Sequence, residues 1–213
     1  MAGPVVGVLL REPLVKAQLK EIDQWLRSVA TRVDGAQGRR GEWELWMDGA
    51  PVGCPSGEPQ CTIIVSVQGP DPYGFGLDPI EDPEMVEEIG TAIGHRPAQE
   101  ILVIAMCNGR IDHCLIARLA LHLARQFDAT IDMGGTITPP LPPPVKKEDG
   151  MYVPWFERVT LDDIHTFLAG LPGRVWEIYA EDDIDRRASL PSHVVDATFL
   201  DAWTRHPHFR MIK

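Results

Sequence analysis

Cys107, Asn108, Gly109, Arg110, Ile111, Asp112, His113 and Cys114 form the densest run of chemistry-capable side chains in the sequence. They follow an apolar stretch at residues 100–107 that reads as a buried strand, and they open a helix, which is where open α/β sheets bind ligands. A helix N-terminus acidifies a thiol and a neighbouring imidazole can serve as base, so one expectation is a small hydrolase or transferase centred on Asn108, Asp112 and His113. The same residues have ordinary structural uses: Asp112 as helix cap, Asn108 as turn residue, His113 as a first-turn polar group and Cys114 as core. No Ser-His-Asp signature, nucleotide-binding loop or zincin motif occurs in the chain.

Metal chemistry is not favoured by the spacing. Cys54 and Cys61 are separated by six residues, as are Cys107 and Cys114, whereas structural zinc sites use hooks with about two to four intervening residues. Four cysteines are too few for a disulfide scaffold in 213 residues, and free thiols are expected. Asp128 and Asp132 flank a short strand; paired carboxylates suit hydrolysis or a divalent cation, and they also cap turns. The acidic run at residues 181–185 is neutralised in part by Arg186 and Arg187 and reads as a solvated loop. His206 and His208 stand among Trp203 and Phe209, which read as packing residues. No metal and no cofactor are expected.

Charge distribution is more specific than any motif. The net charge is -11, and residues 41–95 contain no Lys or Arg. That stretch carries Glu42, Glu44, Asp48, Glu58, Asp71, Asp78, Glu81, Asp82, Glu84, Glu87 and Glu88, while the remaining acids and bases cancel. Such a field repels nucleic acid and anionic membranes, because phosphate binding needs Lys or Arg, and it attracts a basic protein. A solvated, partnerless acidic surface is the plain alternative.

The elements that would position these groups follow from periodicity. Residues 4–10 read as a buried strand, and Pro13 opens a helix to about Val33 with Leu14, Leu19, Ile22, Trp25 and Leu26 inward. Residues 42–47 alternate, placing Trp43, Leu45 and Met47 on one side. A β-branched strand at 61–67 leads into a Gly/Pro loop at 69–76, a candidate binding surface. Asp82 and Pro83 start a helix, residues 100–107 form the clearest strand, and a helix runs from near Asp112 to Phe127. Strands at 130–133 and 174–180, helices at 160–169 and 196–204, and an edge strand at 208–213 complete the chain. The Pro-rich 139–144 segment is an extended loop. It is a poor SH3 ligand, since Val145 intervenes before Lys146 and Lys147.

This order predicts a single α+β (or mixed α/β) domain over 1–213, one mixed sheet with helices mainly on one face and a split-βαβ unit. The longest apolar runs fall far short of the ~20 residues that span a bilayer. Arg11 and Glu12 interrupt the first run before a signal-peptide core could form, so a cytoplasmic protein without a membrane partner is expected.

Three stretches carry a likeness: residues 3–13, residues 128–135, and the ending 194–200 with 206–213. Together they resemble a family of uncharacterised proteins of about this length, mostly from high-GC actinobacteria. The resemblance spans nearly the whole chain and implies no activity and no catalytic residues. In style the chain is similar to immunity proteins of polymorphic toxin systems, a looser analogy. The leading expectation is therefore a protein-binding domain that covers a basic partner, such as a cognate toxin. Asp71, Asp78, Glu81, Glu84, Glu87 and Glu88 would supply charge and Tyr73 and Phe75 aromatic anchors. A third expectation is a structural subunit whose interface is the strand bearing Trp43 and Trp46.

Overall fold

The first strand, β1 (Val5–Leu10), is buried at every position after Val5, and it lies in the middle of the sheet rather than at its rim. A computed structural model describes residues 3–35, 41–47, 61–80, 83–140, 144–147, 150–154, 158–179 and 190–212. β1 pairs on one side with β5 (Gln99–Ala105) and on the other with β6 (Thr130–Asp132), both antiparallel. Beyond β5 lie β4 (Cys61–Gln68), β3 (Glu42–Met47) and β2 (Arg32–Gly35); beyond β6 lie β8 (Ser192–Val195) and β7 (Val175–Ile178). The resulting eight-stranded order is β2-β3-β4-β5-β1-β6-β8-β7.

The fold is α+β, and every ladder between these strands is antiparallel. The split-βαβ unit is β5, α3 (Arg110–Phe127) and β6: the two strands run parallel to each other with β1 inserted between them. Gly3 fixes how β1 enters. Its amide bonds the Ala105 carbonyl at 3.1 Å, and a Cβ there would lie 2.0 Å from the Cys107 carbonyl oxygen, a backbone atom that cannot give way.

Strand alternation sorts the side chains onto two faces. Val6, Val8, Leu45, Ile63, Val65, Ile101, Val103 and Ile131 face the main core, where they meet α1 (Lys16–Val29), α3, α4 (Leu161–Ala169) and α5 (Ala197–Thr204). The second face is covered over β1, β8 and β7 by α2 (Pro83–Ile93), with Ile89 against Leu9, Ile178 and Val194. Helices thus lie mainly on one face. Among the described residues no helix is long and apolar enough to cross a membrane.

Three local expectations differ. The first helix ends at Val29, not near Val33, because Ala30 is extended and Thr31 donates to the Trp46 carbonyl; Arg32–Gly35 then becomes a strand with Arg32 stacked over Trp46 at 4.4 Å. β8 was hidden by its brevity and its position just before the Asp196 helix cap. Residues 205–212 add no strand; they pack against α3 and the 133–138 segment instead. The described part of the Pro-rich loop, residues 139, 140 and 144, has no regular structure; residues 141–143 lie outside the described residues.

His193 is fully buried on β8. Its Nδ1 accepts the Ile137 amide at 2.8 Å, so the proton resides on Nε2, which has no hydrogen-bond partner among the described residues. Burial pushes the imidazole down to about 4; the Glu177 carboxylate opposes this and His165 adds to it. The folded state therefore binds this proton less readily than the unfolded chain, whose histidine titrates near ~6.5. Stability should be flat above about pH 6.5 and fall as pH drops toward about 4, by on the order of 3 kcal/mol. Urea unfolding across this range tests it. His193→Asn, which keeps an acceptor near the Nδ1 position and cannot protonate, should flatten the slope; an unchanged slope refutes the assignment.

Candidate functional site

The 69–80 loop is built around Asp71. Its Oδ2 accepts the amides of Gly76 at 2.6 Å and Leu77 at 3.3 Å. The Phe75 amide, with those of Gly76, Leu77 and Tyr73, holds the carboxyl below its ordinary range against a smaller opposing effect of burial. Gly74 and Gly76 supply the positive φ values, 69° and 79°, that let the chain curl around one carboxylate.

Gln99, a fully buried amide at the start of β5, ties this loop to the start of α1. Its Oε1 accepts the Leu14 amide at 2.8 Å and its Nε2 donates to the Pro70 carbonyl at 2.7 Å. Between the loop, α2 and residues 96–98 runs a cleft of about 680 Å³, walled by Pro13, Pro70, Pro79 and Pro97, by Leu77, Ile80 and Val86, and by Asp71 and Arg96. Proline has no amide hydrogen, so the four prolines give these walls apolar surface and no donor of their own. Glu84 and Glu87 are exposed on the adjoining helix, and Glu87 meets Arg96 at 3.4 Å.

The residues expected at a binding surface are partly gathered here. Asp71 lines the cleft, and Glu84, Glu87 and the half-buried Glu88 belong to α2. Asp78 is exposed, and its carbonyl accepts the Gly69 amide at 2.8 Å. Tyr73 is exposed but lines a neighbouring cleft of about 650 Å³ with Arg11, Pro13, Gln18 and Arg125. Phe75, expected as an aromatic anchor, is instead buried in the main core, where it pins the loop. Glu42 and Glu44 stand on β3, separated by β4 and β5 from the half of the sheet under α2. Asp48, Glu58, Glu81 and Asp82 lie outside the described residues, as do Cys54 and residues 181–187.

The second expected constellation serves two different neighbours. Asp112 is buried and its Oδ2 accepts the Gly109 amide at 2.5 Å, capping α3. The Nδ1 of His113 accepts the Met211 amide at 2.9 Å. Asn108 is exposed, as is Cys107; Cys107 and Cys114 are free thiols. Asp128 ends α3 in the left-handed region at φ 49°, and the Asp132 carboxyl, raised by burial, accepts the Gly134 amide. Among the described residues no group of three or more His, Cys, Asp or Glu could hold a metal ion.

Trp43 is buried, its indole donating to Asp23 at 3.0 Å, and the half-buried Trp46 carries Arg32 on its ring. Sequence reasoning missed Gln99, Arg96 and the proline walls. The usable signal was the single side-chain amide, Gln99, at the mouth of a strand that is apolar from Ile101 onward.

A model of a family described as a family of unknown function, DUF6368, matches residues 2–213. No curated protein and no solved structure matches the chain.

The two aromatic residues of the loop should separate cleanly. Phe75→Ala should cost roughly 3 kcal/mol of stability through the cavity it leaves, whereas Tyr73→Ala should change stability by less than about 0.5 kcal/mol. Chemical denaturation of both variants checks this.

Proposed function

We propose that the chain, which belongs to DUF6368, a family of unknown function, is a protein-binding domain that receives a basic segment of another protein in the proline-walled cleft. The observation that carries this reading is the chemistry of the cleft: apolar walls built on four prolines, Leu77, Ile80 and Val86, with exposed glutamates on the adjoining helix. An aliphatic side chain beside a Lys or Arg suits it, the first buried against Ile80 and Val86 and the second placed to compete with Arg96 for Glu87. The walls are set before binding by Gln99 and the Asp71 turn, so little ordering cost remains to be met on association. An immunity-type role, in which the partner is a basic toxin whose active surface is covered, is the particular form proposed, in a cytoplasmic setting that suits free thiols at Cys107 and Cys114. It requires no chemistry from Asn108, Asp112 or His113.

The test uses fluorescent peptides carrying Lys or Arg next to aliphatic residues, read by anisotropy. Binding should weaken steeply with salt, and joint Glu84→Lys and Glu87→Lys substitution should slow association by roughly tenfold at low salt. Ile80→Asp should abolish retention. Peptide binding indifferent to both changes would overturn the reading.

A further inference from the structure

We propose that residues 205–212 form a strap across the N-terminal end of α3 that acid releases. The strap is anchored by Met211, buried in the main core, and by Phe209 packed on Trp203, and two of its backbone amides are donated to imidazole nitrogens. The Met211 amide donates to His113 Nδ1 at 2.9 Å, and within the strap the His208 amide donates to His206 Nδ1 at 3.3 Å. The bed beneath it repeats the device, with the Ile137 amide on His193 Nδ1 at 2.8 Å. The strap meets that bed twice: Arg210 donates to Thr138 Oγ1 at 3.2 Å, and Ile212 lies over Gly135, where a Cβ would fall 2.9 Å from its side chain.

A neutral imidazole can accept through Nδ1; an imidazolium carries a hydrogen on both nitrogens and cannot. Protonation of His113 therefore sets two donors against each other at Met211, a residue only 1% exposed, whose amide regains a partner from water only when the strap lifts. The surrounding elements carry charge of both signs. On α3, Asp112 accepts the Gly109 amide and Arg110 adds positive charge. On the strap, His206, His208 and Arg210 are all basic. On α5, Asp201 is engaged by Arg125 and Arg205. Lifting the strap bares the start of α3 and the Met211 seat while the sheet stays formed.

Amide hydrogen exchange on the whole chain tests this at about pH 7.5 and about pH 5.5, either side of the ordinary histidine range. After correction for intrinsic rates, Met211 protection should fall by roughly tenfold in acid while β4 and β5 amides keep theirs. His113→Asn, which retains an acceptor and cannot protonate, should keep Met211 protected at both pH values. His113→Phe should leave it unprotected at both. Equal Met211 protection at the two pH values in the native chain would overturn the proposal. So would an acid loss that persists in His113→Asn, or one that disappears only in His193→Asn.

Discussion

β1 is the joint of the molecule. The strands β2 to β5 form one antiparallel block and β6 to β8 another, and only β1 connects them. Its partners come from distant parts of the chain: Val5 opposes Ile104 and Gly7 opposes both Leu102 and Asp132. A slip of one residue would turn Val6, Val8 and Leu10 out of the main core and bring Gly7 and Leu9 into it, so the register is held by the burial of both faces at once. Helix α3 reinforces the joint by packing on β1, β5 and β6. Few other segments of this length could be displaced with such effect.

The two features of functional interest sit at opposite ends of that joint. At its Leu10 end the chain turns through Pro13 into the cleft, with Gln99 of β5 beside it. At its Val5 end lie Ala105, the start of α3, Gly134 and the 205–212 strap. α3 spans the interval; eighteen residues correspond to about 27 Å of helix. Arg125 and Phe127, near its far end, border the second cleft together with Pro13 and Tyr73. The cleft is set by Gln99 and by the Asp71 carboxylate, whereas the amide of Met211 in the strap rests on the His113 imidazole.

How far the sequence could be read depended on range of interaction. Local periodicity was enough for β1, β3, β4, β5 and for all five helices, and the alternation of Trp43, Leu45 and Met47 correctly set their face. The α+β class and the split unit followed from element order. What failed was decided by contacts between distant segments. Val33 joins β2 because Thr31 and Arg32 find Trp46 across the hairpin. Phe75 is core because the Asp71 turn folds it inward, and Glu42 and Glu44 part from Glu84, Glu87 and Glu88 because β3 and α2 stand over different parts of the sheet. Asp112 was legible as a cap from its position; His113 was not legible as an acceptor, since Met211 lies almost a hundred residues away.

The outer strands have a consequence for how such a sheet survives crowding. An open eight-stranded sheet ends in two rims of unpaired backbone, the usual template on which sheets grow into fibres. Here β2 and β7 are four residues each. β2 carries the Arg32 and Asp34 pair, and β7 carries a half-buried Glu177 that meets His165 at 2.7 Å and Tyr179 at 2.8 Å. A copy arriving edge-on would find only a short run of backbone to pair with and charged side chains beside it, so the architecture offers a poor template for polymerisation through these strands.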